Sequence, residues 1–200
     1  GIPFHMKDAI PNLFAHWISL DIIAYLRLVS GTGNTRANWL RIMNRPNRYI
    51  KREALAPFTS DISVAQLKAY YQDKDWMLER LDRLEYDLSI MKRMSPYAAI
   101  HYLSNAMKYQ DYLKDYAKEH HINEQELLDV LNAVHESSQS CRTFAEWFTY
   151  IDTYTEELQK QAKSPASNDA NNERGVCLCT LHCAKGLEYP IVFIPDINED

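Results

Sequence analysis

A run of amphipathic helical patterns, each opened by its own cap, occupies residues 12–162 and leaves little choice but a helical body there. Leu13, Phe14, Trp17, Ile18, Ile22, Tyr25, Leu26 and Val29 recur at three- and four-residue spacing, predicting a largely buried helix that stops near Ser30 and Gly31. Asp21 and Arg27 interrupt that pattern, either on a solvated flank or in a packing or ion-pair role. Gly31 to Asn34 reads as a turn, and a helix from Ala37 to Asn44 is stopped by Pro46. Ser63 with Gln66 forms a capping box, and a long helix follows from Trp76 to Met94. Ser95 and Pro96 cap another, expected to run through Ile100, Leu103 and Tyr112 to Glu119, with His120-His121 as a break. Asn123 with Glu126 and Thr143 with Glu146 open two more.

Residues 163–175 lose their large apolar side chains and read as a flexible linker. Beyond it the period changes. Val176, Leu178, Ile191, Val192, Phe193 and Ile194 predict short strands buried on both faces, as in a parallel sheet covered by helices. Between them Thr180, His182, Lys185 and Glu188 place a hydroxyl, an imidazole, an ammonium and a carboxylate in one loop. Gly186 permits a backbone conformation or a close approach that a Cβ would block. Such a loop at the carboxyl end of a strand is where open α/β sheets bind ligands. Residues 1–11 read as an extended lead-in, since Pro3 disfavours helix at Ile2.

A hydrophobic content of 46% against 24% charged residues belongs to a globular chain. The net charge of -5 argues against a general basic coat for nucleic acid, so any such contact must be local. The densest basic region holds Arg36, Arg41, Arg45, Arg48, Lys51 and Arg52, with no acid between Arg36 and Glu53. Four cysteines without framework spacing read as reduced thiols, and no signal or membrane-spanning segment is evident, so a cytoplasmic location is expected. Cys177, Cys179, His182 and Cys183 invite a zinc reading. It is set aside because the first two share one face of a strand and no second ligand pair follows, so no metal is expected.

The segment T-L-H-C-A-K-G-L-E-Y, followed by P-I-V-F-I, resembles the fifth motif of superfamily 1 DNA helicases of the UvrD/Rep/PcrA type. Asp21 to Leu28 (D-I-I-A-Y-L-R-L) and Leu40 to Pro46 (L-R-I-M-N-R-P) resemble two further segments of that family. The resemblance implies a mainly α chain in which residues 12–162 are a helical 2B-type insertion domain. Residues 176–200 would then be an α/β piece of the second RecA-like domain carrying motif V, with 1–11 leading in from that domain. Thr180 and His182 would face single-stranded DNA, Gly186 and Glu188 the nucleotide, and Lys185 either. The family's R-G-I-G turn approaches duplex DNA through backbone amides. Here Arg48, Tyr49, Ile50 and Lys51 stand instead, so duplex contact would rest on the side chains of Arg45, Arg48, Lys51 and Arg52.

The chain has no G-x-x-x-x-G-K-[ST] phosphate loop. The expectation is therefore a piece of a longer ATP- and magnesium-dependent helicase that unwinds DNA in repair or replication, itself inactive as an ATPase and without a cofactor of its own. Its partners would be the remaining helicase domains and DNA, as single strand and at the single-strand/duplex junction, with no membrane. The competing reading is a non-catalytic helical protein- or DNA-interaction module from a degenerate helicase relative.

Overall fold

The computed structural model describes residues 4–6, 11–33, 35–163, 175–181 and 183–194. The chain is mainly α. Its helices are α1 (Trp17–Ser30), α2 (Thr35–Ile42), α3 (Val64–Tyr70), α4 (Asp75–Met91), α5 (Pro96–Asn105), α6 (Tyr109–His120), α7 (Glu124–Ser137) and α8 (Phe144–Lys163). Two short strands, β1 (Phe4–Met6) and β2 (Val176–Leu178), pair in parallel with Phe4 opposite Val176. Residues divide into two compact units, one of 12–155 and one of 1–11 with 156–200.

In the larger unit α1 is the central element, packed against α2, α4, α5 and α7. Ile18, Ile22, Tyr25 and Leu26 are fully buried, and so are Ser19 and Asp21, because a helix enclosed by neighbours on most sides has almost no solvated face. Arg27 stays exposed, so of the two polar interruptions only Asp21 joins the interior. Burying one such apolar side chain stabilises by about 1.5–3 kcal/mol. The large aromatics inside also satisfy their polar atoms. Trp39 Nε1 donates to the Ile62 carbonyl (3.1 Å), Trp147 Nε1 to Ser137 Oγ (3.1 Å) and the Tyr25 hydroxyl to the Arg45 carbonyl (2.7 Å).

Local signals set most helix starts. Ser63 and Gln66 close a reciprocal capping box on α3, Ser95 caps α5 ahead of Pro96, and Asn123 Oδ1 accepts from the Gln125 amide at α7. At α8 Thr143 Oγ1 accepts from the Glu146 amide while Glu146 reaches back to the Arg142 amide (2.8 Å). His121, with φ of 53°, ends α6 in the left-handed region.

Three expectations need correction. The first helix begins only at Trp17, since Leu13–Ala15 form a separate 3-10 turn and the His16 ring accepts from the Ile18 amide as the cap. The helix expected to run from Pro96 to Glu119 is broken between Asn105 and Tyr109. There the Ala106 and Met107 amides both close on the Tyr102 carbonyl and Lys108 turns left-handed (φ 60°). No glycine or proline marks that break; it lets Leu103, Met107 and Tyr109 all be buried. The apolar segments after residue 175 are not buried on both faces. Val176 and Leu178 are exposed, and Ile191 to Ile194 are exposed and outside any strand, because among the described residues β1 and β2 form a two-stranded ribbon without a covering layer. Apart from Lys163 and Gly175, the expected linker lies outside the described residues.

Candidate functional site

The basic region after α2 is built on a buried carboxylate. Asp21 lies fully inside. Arg45 Nη1 donates to both its oxygens (2.8 and 3.1 Å), Arg41 Nε stands 2.9 Å away, and the Tyr109 hydroxyl donates at 2.9 Å. Burial pushes the Asp21 carboxyl above its ordinary range, opposed by the two arginines and the Tyr109 hydrogen bond. Burial also lifts the Tyr109 hydroxyl well above its usual value, and the neighbouring Asp21 charge adds to the rise. This cluster ties α1 to α6 and to the end of α2. The Arg45 guanidinium additionally sits over the Trp17 ring.

From that anchor the chain makes a tight turn closed by Asn44. Its Oδ1 accepts from the Arg48 and Ile50 amides (3.3 and 2.9 Å), and its Nδ2 donates to the Ile50 carbonyl (2.9 Å). Arg48 points back into the fold: its Nη1 donates to the carbonyls of Ile42 (3.1 Å) and Pro46 (3.3 Å), and its guanidinium lies over Tyr25. Of the four arginines and lysines expected to meet duplex DNA, Arg45 and Arg48 are thus half-buried and shape the turn, whereas Lys51 and Arg52 are exposed. The Lys51 amide is held by the Tyr71 hydroxyl (2.6 Å).

Tyr49, at the tip, has φ of 59°. That is glycine's conformation, and an aromatic residue adopts it at a cost on the order of 1 kcal/mol. The turn therefore has a left-handed residue at its tip although no glycine stands there. The ring it projects is exposed and meets Arg80 of α4, whose guanidinium also lies over the exposed ring of Trp76. Neither Tyr49, Trp76 and Arg80 nor Asn44 stands out in the sequence. Trp76 and Arg80 share a helix face at four-residue spacing, but nothing local links them to residue 49.

The loop after β2 belongs to the other unit. The Thr180 carbonyl accepts from the Ala184 amide (3.0 Å) and its Oγ1 from the Cys183 amide (3.3 Å). A second turn follows, with the Leu187 amide donating to the Ala184 carbonyl (3.0 Å) and Gly186 at φ 83°. A Cβ on Gly186 would meet nothing within 4 Å, so the backbone conformation, not crowding, is what calls for glycine. Thr180, Lys185, Gly186 and Glu188 all lie exposed along these consecutive turns, and His182 lies outside the described residues. Cys177 Sγ contacts the Tyr189 hydroxyl at 3.7 Å. Among the described residues no group of three or more histidines, cysteines or acids could hold a metal ion, and no helix is long and apolar enough to cross a membrane.

The described geometry thus comprises a left-handed turn on the helical body and, in the other unit, a Thr-to-Glu double turn after a parallel strand. All 200 residues match the profile of the UvrD-like helicase C-terminal domain, and the chain belongs to that family. It is 26% identical over 197 residues to the ATP-dependent DNA helicase PcrA of Bacillus subtilis (strain 168), covering 90% of this chain and 26% of that protein. YjcD of the same organism is 23% identical over 200 residues, covering 97% of this chain and 25% of its own length. PcrA of Staphylococcus aureus (strain NCTC 8325 / PS 47) is 24% identical over 197 residues, with 90% and 25% covered. The chain thus spans about a quarter of the length of these relatives.

Proposed function

We propose that this chain is part of an ATP-dependent DNA helicase of the UvrD/PcrA type, supplying a duplex-facing 2B-type helical body and the loop of the fifth helicase motif. The observation that supports it most is the double turn from Thr180 to Glu188, an exposed row of polar groups fixed by backbone hydrogen bonds, in a chain matched to this family over its whole length. In the intact enzyme Thr180 and His182 face the single strand, and Gly186 and Glu188 face the nucleotide, with Lys185 between the two. ATP with Mg2+ binds through groups contributed mostly by other parts of that enzyme. The enzyme works on the single-strand/duplex junction in the cytoplasm, in repair or replication. Glu188 supplies a charge-assisted hydrogen bond to the nucleotide; Glu188→Gln in the intact helicase should raise the Michaelis constant for ATP while DNA affinity holds.

On the helical body Lys51 and Arg52 meet duplex phosphates, while Arg45 and Arg48 hold the turn in shape. The contact is electrostatic and indifferent to sequence. Each neutralised phosphate contributes a slope of about -0.9 to log affinity against log salt. Lys51→Ala with Arg52→Ala should flatten that slope by about two contacts and leave the thermal midpoint unchanged. An unchanged slope would remove this segment from the interface. Binding to a protein partner and to no DNA at any salt concentration would favour the non-catalytic module.

A further inference from the structure

The exposed aromatic residues beside the basic turn are not accounted for by phosphate contact. Tyr49 is 59% and Trp76 50% exposed, yet the Arg80 guanidinium lies 5.0 Å from one ring centroid and 5.1 Å from the other. Two flat side chains from separate elements are thus joined through a third flat, delocalised cation. Both residues still keep about half their surface in water. The presentation is rigid. Tyr49 is flanked by Ile50, which is buried and hydrogen-bonded through both its amide and its carbonyl to Asn44, and the Tyr49 amide donates to Asn47 Oδ1 (3.1 Å). Trp76 and Arg80 stand one turn apart on α4, whose next residue inward, Met77, is buried. Asp75 and Glu79 lie on the same helix beside them, so this spot is not a strong phosphate site. Lys51 and Arg52 supply the phosphate contact two and three residues beyond Tyr49.

We propose that Tyr49, Trp76 and Arg80 form a stacking platform for an unpaired DNA base next to the duplex contact, a reading that rests on the DNA-binding function given above. Aromatic rings and a guanidinium plane accept any base through its π-face, so the platform recognises unpaired nucleobases without regard to sequence. Its contribution depends on the presence of bases and little on salt. The phosphate contact behaves in the opposite way.

The test compares binding of the 200-residue chain to oligothymidine and to an abasic deoxyribose-phosphate oligomer of equal length and charge, over a series of salt concentrations. The expected result is roughly tenfold tighter binding of oligothymidine, in the range found for loss of one base–aromatic stack. Tyr49→Gly suits the left-handed backbone and removes the ring without strain, and Trp76→Ala removes the second ring at an exposed helix position. The double variant should lose the tenfold preference and keep the wild-type salt slope and circular dichroism spectrum. Equal wild-type affinity for both oligomers, with a normal salt slope, would overturn the platform and leave the duplex contact standing. Retention of the preference in the double variant would overturn it too. No binding of either oligomer or of duplex at any salt concentration would overturn both readings.

Discussion

Ile18, Ile22, Tyr25 and Leu26 in α1 are fully buried, whereas Ile191, Val192, Phe193 and Ile194 near the other end of the chain are exposed, Phe193 at 87%. The two segments are equally apolar over four residues; their surroundings differ. The helices around α1 close their backbone hydrogen bonds internally and bring apolar faces from neighbours along the same stretch of chain. A strand can do neither alone. Its amides and its two faces are satisfied only by other strands and a covering layer, and among the described residues β1 with β2 provides a ribbon of two. Apolar composition therefore identifies what can be buried, while local hydrogen-bond closure decides what is buried within this chain.

Substitution should separate the two regions most sharply. Trp147 is fully buried against Phe14 and bonded to Ser137, so Trp147→Ala should cost about 3–5 kcal/mol in denaturant unfolding. Phe193→Ala should stay within about 0.5 kcal/mol. A comparable loss at both positions would show that the apolar tail is covered in solution and would erase the contrast.

A smaller effect is expected at the buried carboxylate. Asp21→Asn keeps the shape and removes the charge that Arg41 and Arg45 face. Both arginines are partly solvated, which moderates the penalty to about 2–3 kcal/mol. Because the same arginine anchors the turn, this variant should also weaken duplex binding, unlike Trp147→Ala repacked at lower temperature. An Asp21→Asn protein with unchanged midpoint would make the cluster incidental.

The smallest effect is a pH dependence confined to the helical body. Burial holds His135 below its ordinary value, with its Nε2 donating to the Tyr97 carbonyl (3.1 Å) and its ring stacked on Tyr97. The unfolded chain then binds more protons in the window just below the ordinary histidine value. Stability from this group is complete above that value and is lost as pH falls through the lowered folded one. The wild-type thermal midpoint should drop slightly more between pH 7.5 and pH 5.5 than that of His135→Gln. Equal drops would assign the acid sensitivity elsewhere.

Legibility in the sequence followed the same division. Ser63-Gln66, Ser95-Pro96 and Thr143-Glu146 announced their helices because a cap is made by residues three apart, and Gly186 announced a turn because its backbone needs no partner to require glycine. The break at Lys108 was hidden, since its left-handed turn has no glycine and is set by the burial of Met107 and Tyr109. Arg45 and Arg48 read as surface charge beside Lys51 and Arg52. Only the packing of α1 under the turn shows that the first two serve a buried carboxylate and backbone carbonyls.

By itself the sequence determined the helical class of the middle of the chain, most helix starts and the resemblance to its family, because each depends on side chains within a few positions of one another. Tertiary structure alone decided that Asp21 is an interior anchor, that of the four cations expected at duplex DNA two turn inward and two outward, and that Arg80 bridges Tyr49 and Trp76. The Asp21 anchor and the Arg80 bridge join groups 24 to 88 residues apart in sequence, whose encounter is set by how the helices pack and leaves no local periodicity to read.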